Sequence, residues 1–98
     1  MRRVSLSEFA RHQLKRAIGQ FPSFEQIFET GILWQLQRAS LEDAALIPGT
    51  NPELRVIETN AWRAEGIPAV AIGYHKTLDG IEIVRLTLDA RPLKPATG

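Results

Sequence analysis

Ninety-eight residues, 44% of them apolar, suffice for one hydrophobic core but not two, so the chain reads as a single domain over 1–93 with a flexible tail over 94–98. The absence of cysteine excludes disulfides and thiolate metal sites, and two separated histidines, His12 and His75, make no ligand set, so neither metal nor cofactor is expected. Twelve Lys and Arg against eleven Asp and Glu leave a formal charge of +1, too little to draw in a polyanion from a distance, and no apolar run resembles a leader or a membrane span; a soluble, cytoplasmic protein is expected.

In chain order, MRRVS can supply an opening strand. Ser5-Leu6-Ser7-Glu8 matches a capping box, in which a Ser and the Glu three residues later satisfy unpaired amides at a helix start. Ala10, Leu14, Ala17, Ile18 and Phe21 then form one apolar stripe at helical period, and Gly19 suits the exit. Arg11 and Lys15, like His12 and Arg16, are basic pairs four apart on the remaining, solvated surface. A second cap, Ser23-Phe24-Glu25-Gln26 after Pro22, leads into Phe24, Ile27, Phe28 and Gly31 and predicts a helical hairpin. The stretch GILWQLQ, 31–37, also alternates like a half-buried strand, but helix is the favoured assignment. Ser40-Leu41-Glu42-Asp43 opens a further short turn of helix, which Pro48-Gly49 terminates.

From Leu54 the period changes to two, and LRVIET, AVAIGYHKT and IEIVRLTL predict three strands. Asp79-Gly80 is read as a two-residue type I′ turn, which pairs Leu78 with Ile81, Lys76 with Ile83 and Tyr74 with Arg85. In that register Arg85 lies over the Tyr74 ring while His75 points to the other face. The small residues Ala69, Ala71 and Gly73, on one face with Leu88, Leu86 and Val84, form the flat surface on which the helices are expected. Trp62, in the connection NAWRAEG, is expected to fold back onto the core. The predicted class is α+β: an N-terminal strand and helical hairpin packed on a C-terminal, three- to four-stranded, mainly antiparallel sheet.

No phosphate-cradling glycine loop, nucleophile elbow or Ser/His/Asp set is present, so a conventional enzyme is not indicated. Ala71-Ile72-Gly73-Tyr74, then Ile81-Glu82-Ile83-Val84-Arg85-Leu86 and Ala90-Arg91, with RVSLSEFARHQL at 3–14 and Leu54-Arg55, resemble the RelE/ParE superfamily of toxins from bacterial toxin-antitoxin pairs, and its ParE-like members in particular. The likeness covers the two ends of the chain and is loose in the middle. It departs from the family where Ala69-Val70-Ala71 replaces an arginine before Ile72 and where Leu88-Asp89 replaces a His-Gly pair.

The resemblance implies the α+β fold above and a cognate antitoxin as partner. For ParE-like members it implies a protein target, DNA gyrase, with Arg55, Tyr74, Arg85 and Arg91 as partner-binding residues. Arg91, beyond the last strand, is the one a partner reaches most easily. RelE-like members imply instead cleavage of mRNA on the ribosome: Arg55 or Arg85 would stabilise phosphorane charge, His75 would move the proton and Tyr74 would stack on a base. A relative without toxicity that serves as a protein-interaction domain is the third reading, since fold does not fix function. A homodimer is compatible with each, and no membrane partner is implied.

Overall fold

The alternation that begins at Leu54 builds the centre of a five-stranded sheet in the computed structural model, which describes residues 1–41 and 44–88. The strands are β1 (Arg3–Leu6), β2 (Ala45–Ile47), β3 (Leu54–Glu58), β4 (Val70–Lys76) and β5 (Gly80–Leu88), in the order β1-β5-β4-β3-β2. All neighbours are antiparallel except β1, which runs parallel to β5. The class is α+β as expected, with one strand more than the three or four foreseen. That strand, β2, has three exposed residues, too few to show an alternation.

Helix α1 (Glu8–Gln20) is capped by Ser7, whose Oγ accepts the Ala10 N–H at 3.1 Å. Ser5 belongs to β1, so the cap falls two residues later than the capping-box reading placed it. Ser7 N–H still donates to Ile83 O at 2.8 Å, and the chain leaves the sheet only after that bond. Helix α2 (Phe24–Ile27), a π turn (Phe28–Ile32) and α3 (Leu33–Arg38) follow with αR dihedrals across each junction and form one continuous rod. The hairpin is therefore present, and 31–37 is helical rather than extended. No helix among the described residues is long and apolar enough to cross a membrane.

Phe24, Phe28, Ile32 and Leu36 from this rod, with Ala10 and Ala17 of α1, share one buried cluster with Val70, Ile72, Tyr74, Ile81, Ile83 and Leu86. The helices thus cover the Val70-Ile72-Tyr74 face of β4, not the Ala69-Ala71-Gly73 face that the small residues suggested. The bulky face wins because it removes far more apolar area from water. Trp62 packs against this core as predicted, and exchanges two backbone bonds with Ile67 across the turn Arg63–Glu65.

The β4–β5 register also differs from the Asp79-Gly80 prediction. Thr77 N–H donates to Gly80 O at 2.9 Å, Leu78 and Asp79 occupy the turn, and Lys76 faces Ile81. Only Gly49 and Gly66 have positive φ among the described residues, so Gly80 does not serve a type I′ turn. A Cβ at Gly80 would instead collide with the backbone of Arg3, so glycine there permits β1 to lie close beside β5. A β-bulge then inserts Val84, giving Tyr74 opposite Ile83 but Gly73 opposite Arg85. Past an extra residue the alternation changes phase, so Leu86 rather than Arg85 enters the core after Ile81 and Ile83.

Beyond Ile83, the last residue paired with β1, the Leu86 N–H donates to Gln13 Oε1 of α1 at 2.6 Å. Removing that acceptor leaves a partly buried donor unpaired. Gln13→Leu is therefore expected to lower stability by about 1–3 kcal/mol in urea unfolding, while Gln13→Glu, which keeps the acceptor, loses less. Glu42, Asp43, Arg91 and Lys94 and the tail 94–98 lie outside the described residues; of the helical turn predicted at 40–43, the described part is one bond from Ala44 N–H to Leu41 O at 3.2 Å.

Candidate functional site

The chemistry-bearing residues gather in two clusters, one on each face of the sheet. On the face that the helical core leaves open, the bulge turns Arg85 outward, opposite Gly73 of β4. A Cβ at 73 would meet the Arg85 Cβ and the Leu54 methyl at 3.4 Å, ordinary contact distance, which places both side chains beside Gly73 on this face. Arg85, His75, Phe9, Asn51, Pro52 and Leu54 line a shallow pocket of about 330 Å³ with Thr50 and Val84. Phe9, at the start of α1, is 60% exposed. It lies off the Ala10-Leu14-Ala17 stripe, and that displacement is the sequence signal that would have found it.

His75 Nδ1 lies 2.9 Å from Glu53 O. A carbonyl oxygen only accepts, so Nδ1 carries the hydrogen and the neutral ring keeps its lone pair on Nε2. Glu82 is the cross-strand partner of His75, and Val56 and Glu58 of β3 lie on the same face. The open face therefore mixes apolar area with both signs of charge.

On the helix-covered face, β3 and β4 set Arg55 directly opposite Tyr74. Tyr74 is wholly buried; its burial raises the pKa of the phenol above the ordinary tyrosine value, against an opposing pull from Arg55 and, more weakly, from Arg2. Arg2 caps α3, donating from Nη1 to Leu36 O at 2.6 Å and to Ala39 O at 2.8 Å, where cations suit the negative end of a helix. Arg55 donates from Nη2 to Glu53 Oε1 at 2.9 Å. Its Nε and the Tyr74 hydroxyl are buried with no hydrogen-bond partner among the described residues. Glu53 joins the two faces, since its carbonyl holds His75 and its carboxylate holds Arg55.

The expected site residues are thus redistributed. Arg85 and His75, predicted on opposite faces, share a pocket; Tyr74 and Arg85, predicted to stack, are separated by the sheet; Arg55 joins Tyr74; Arg91 lies outside the described residues. Glu53 and Arg2 were not singled out from the sequence, because their roles depend on strand register and on where α3 ends. No group of His, Asp or Glu among the described residues is placed to hold a metal ion.

Tyr74 is the only tyrosine in the chain, so tyrosinate absorbance reports it alone. The folded protein should titrate above the ordinary value of about 10, and the urea-unfolded protein at that value. Because the folded-state pKa is raised, the associated stability is complete below the unfolded pKa and is lost as pH rises through the folded one. A folded midpoint at or below the unfolded one would contradict the burial of the hydroxyl.

Comparison of the chain with protein-family models, with curated proteins and with solved structures finds no match in any of the three.

Proposed function

We propose that this is a toxin-type binding protein, ParE-like in its ending, which engages a target protein through the open face of the sheet in the cytoplasm and is neutralised by a cognate antitoxin. The observation that carries the reading is the composition of that face. Exposed Arg85 stands among Phe9, Leu54 and Val84, with Glu82 and Glu58 on the same face. Apolar area with scattered arginines and interspersed acids suits a protein surface, whereas a nucleic acid requires several cations in a row. DNA gyrase is the target that the resemblance implies.

The test is titration of a candidate antitoxin, should a neighbouring reading frame encode one, and then of the target, against wild type and Arg85→Ala. An arginine desolvated against a carboxylate should cost about 2–5 kcal/mol of binding on truncation. Unchanged affinity for both proteins, with circular dichroism showing a folded variant, would sink the assignment of Arg85.

One arrangement favours a second reading, mRNA cleavage on the ribosome. Arg85 and His75 line the same pocket as Phe9, and His75 Nε2 is free to take a proton. Arg85 would then meet phosphate charge, and Phe9 rather than Tyr74 would stack on a base. Cleavage of ribosome-bound mRNA that disappears in His75→Ala would establish this reading over the first; the first expects no cleavage by either protein.

A further inference from the structure

We propose that Arg55 and Tyr74 form a recognition site for a carboxylate, of which Glu53 occupies only the Arg55 Nη2 in the free protein and which an acidic side chain or chain end of a partner takes over. It lies on the helix-covered face and does not depend on the reading of the open face. The register places the two residues side by side on neighbouring strands. The Arg55 Nε–H and the Tyr74 hydroxyl are both buried and both lack a partner among the described residues, and Tyr74 is 0% exposed. Folded proteins pair nearly all buried polar groups, because an orphaned donor loses its water without compensation. Two orphaned donors on adjacent strands mark a place prepared for an acceptor.

Glu53 meets the guanidinium through one oxygen and one nitrogen, Oε1 to Nη2 at 2.9 Å, so the fork is only partly used. Its side chain is 54% exposed and that of Arg55 24%. A partly exposed ion pair of this kind is weak and readily exchanged. An incoming carboxylate that spans Nη2–H and Nε–H satisfies one orphan, makes the paired contact for which an arginine fork is shaped, and brings an oxygen toward the Tyr74 hydroxyl. The choice of carboxylate over phosphate follows from charge. Arg2 is committed to the carbonyls of α3, which leaves one guanidinium for the ligand, enough for a single negative charge and too little for a dianion.

The experiment follows the Arg55 Nε–H resonance of the isotope-labelled full chain at constant ionic strength, titrated separately with acetate, an oligoglutamate peptide and inorganic phosphate. Acetate and the peptide should shift it saturably. Glu53→Gln should tighten acetate binding by removing the internal competitor. Tyr74→Phe should weaken it about three- to tenfold, the worth of one net hydrogen bond. Arg55→Lys, which keeps the charge but not the fork, should abolish the peptide's effect on neighbouring amides, whereas Arg11→Ala, on the exposed surface of α1, should leave acetate binding unchanged. The proposal is overturned if no saturable shift occurs, if Glu53→Gln fails to tighten binding, or if Tyr74→Phe binds acetate as wild type does. Phosphate saturating the same resonance more tightly than acetate overturns the carboxylate assignment.

Discussion

Phe24→Ala is expected to lower the free energy of unfolding by about 3–5 kcal/mol, read as a fall in the urea midpoint at nearly constant slope. Phe24 opens α2, is 0% exposed, and sets its ring 6.3 Å from that of Phe28 at a tilt of 50°. Truncation removes the transfer energy of the ring and leaves a void between the rod and the sheet, since the strands carrying Val70, Ile72 and Ile83 are tied into the sheet and cannot close in. A domain of this size is stable by about 5–15 kcal/mol, so the variant should be partly unfolded near body temperature. Phe24→Leu, which keeps most of the volume, should lose less than half as much. A loss under about 1 kcal/mol for Phe24→Ala would mean that the ring is not in the core.

How much of this was legible in the sequence depended on whether a feature is local. The stripe Ala10-Leu14-Ala17 and the run Phe24-Ile27-Phe28 mark helices because helical period is written within a dozen residues, and both helices are present. Strands β3, β4 and β5 were visible as alternation for the same reason. What failed was register. Asp79-Gly80 looks like a hairpin turn within its own four residues, but Gly80 is required by a strand almost eighty positions earlier, a demand invisible in the local pattern. The inserted Val84 carries no mark of its own, yet it decides that Arg85 leaves the core and that Leu86 enters it. The candidate site inherits the second effect, since the turn shifts the pairing by two residues and leaves the faces unchanged while the bulge shifts it by one. Arg85, Tyr74, His75 and Arg55 are the residues that the sequence singles out, but their grouping by face differs in the structure, because a change of one residue in register exchanges the two faces. The carboxylate of Glu53 and the cap supplied by Arg2 follow from tertiary placement alone.

Gly80→Ala is the second large effect expected, and it reaches beyond stability. The added Cβ would collide with the Arg3 backbone, and no flexible side-chain end is there to yield. Either β1 moves away from β5 or the β4–β5 turn is displaced. Overpacking of this kind costs about 1–3 kcal/mol where neighbours can shift, and a rigid backbone neighbour places this site at or above the upper end. The exposed Arg3–Asp79 ion pair, 3.4 Å apart, is too weak to hold the strand in place. If β1 lifts, Val4 and Leu6 lose their packing against the core, and Arg2, the residue before β1, is drawn away from Leu36 O and Ala39 O. Amide exchange should therefore quicken selectively at Arg2, Arg3 and Ser7, whose N–H groups donate to Gln37, Asp79 and Ile83, and at the last turn of α3, while β3 and the first half of β4 keep their protection. Gly19→Ala serves as the control, because a Cβ at that helical position meets nothing within 4 Å and should be neutral or mildly stabilising. A Gly80→Ala protein with wild-type stability and wild-type exchange at Ser7 would show that β1 does not lie against β5 as described, and the capping role of Arg2 would fall with it.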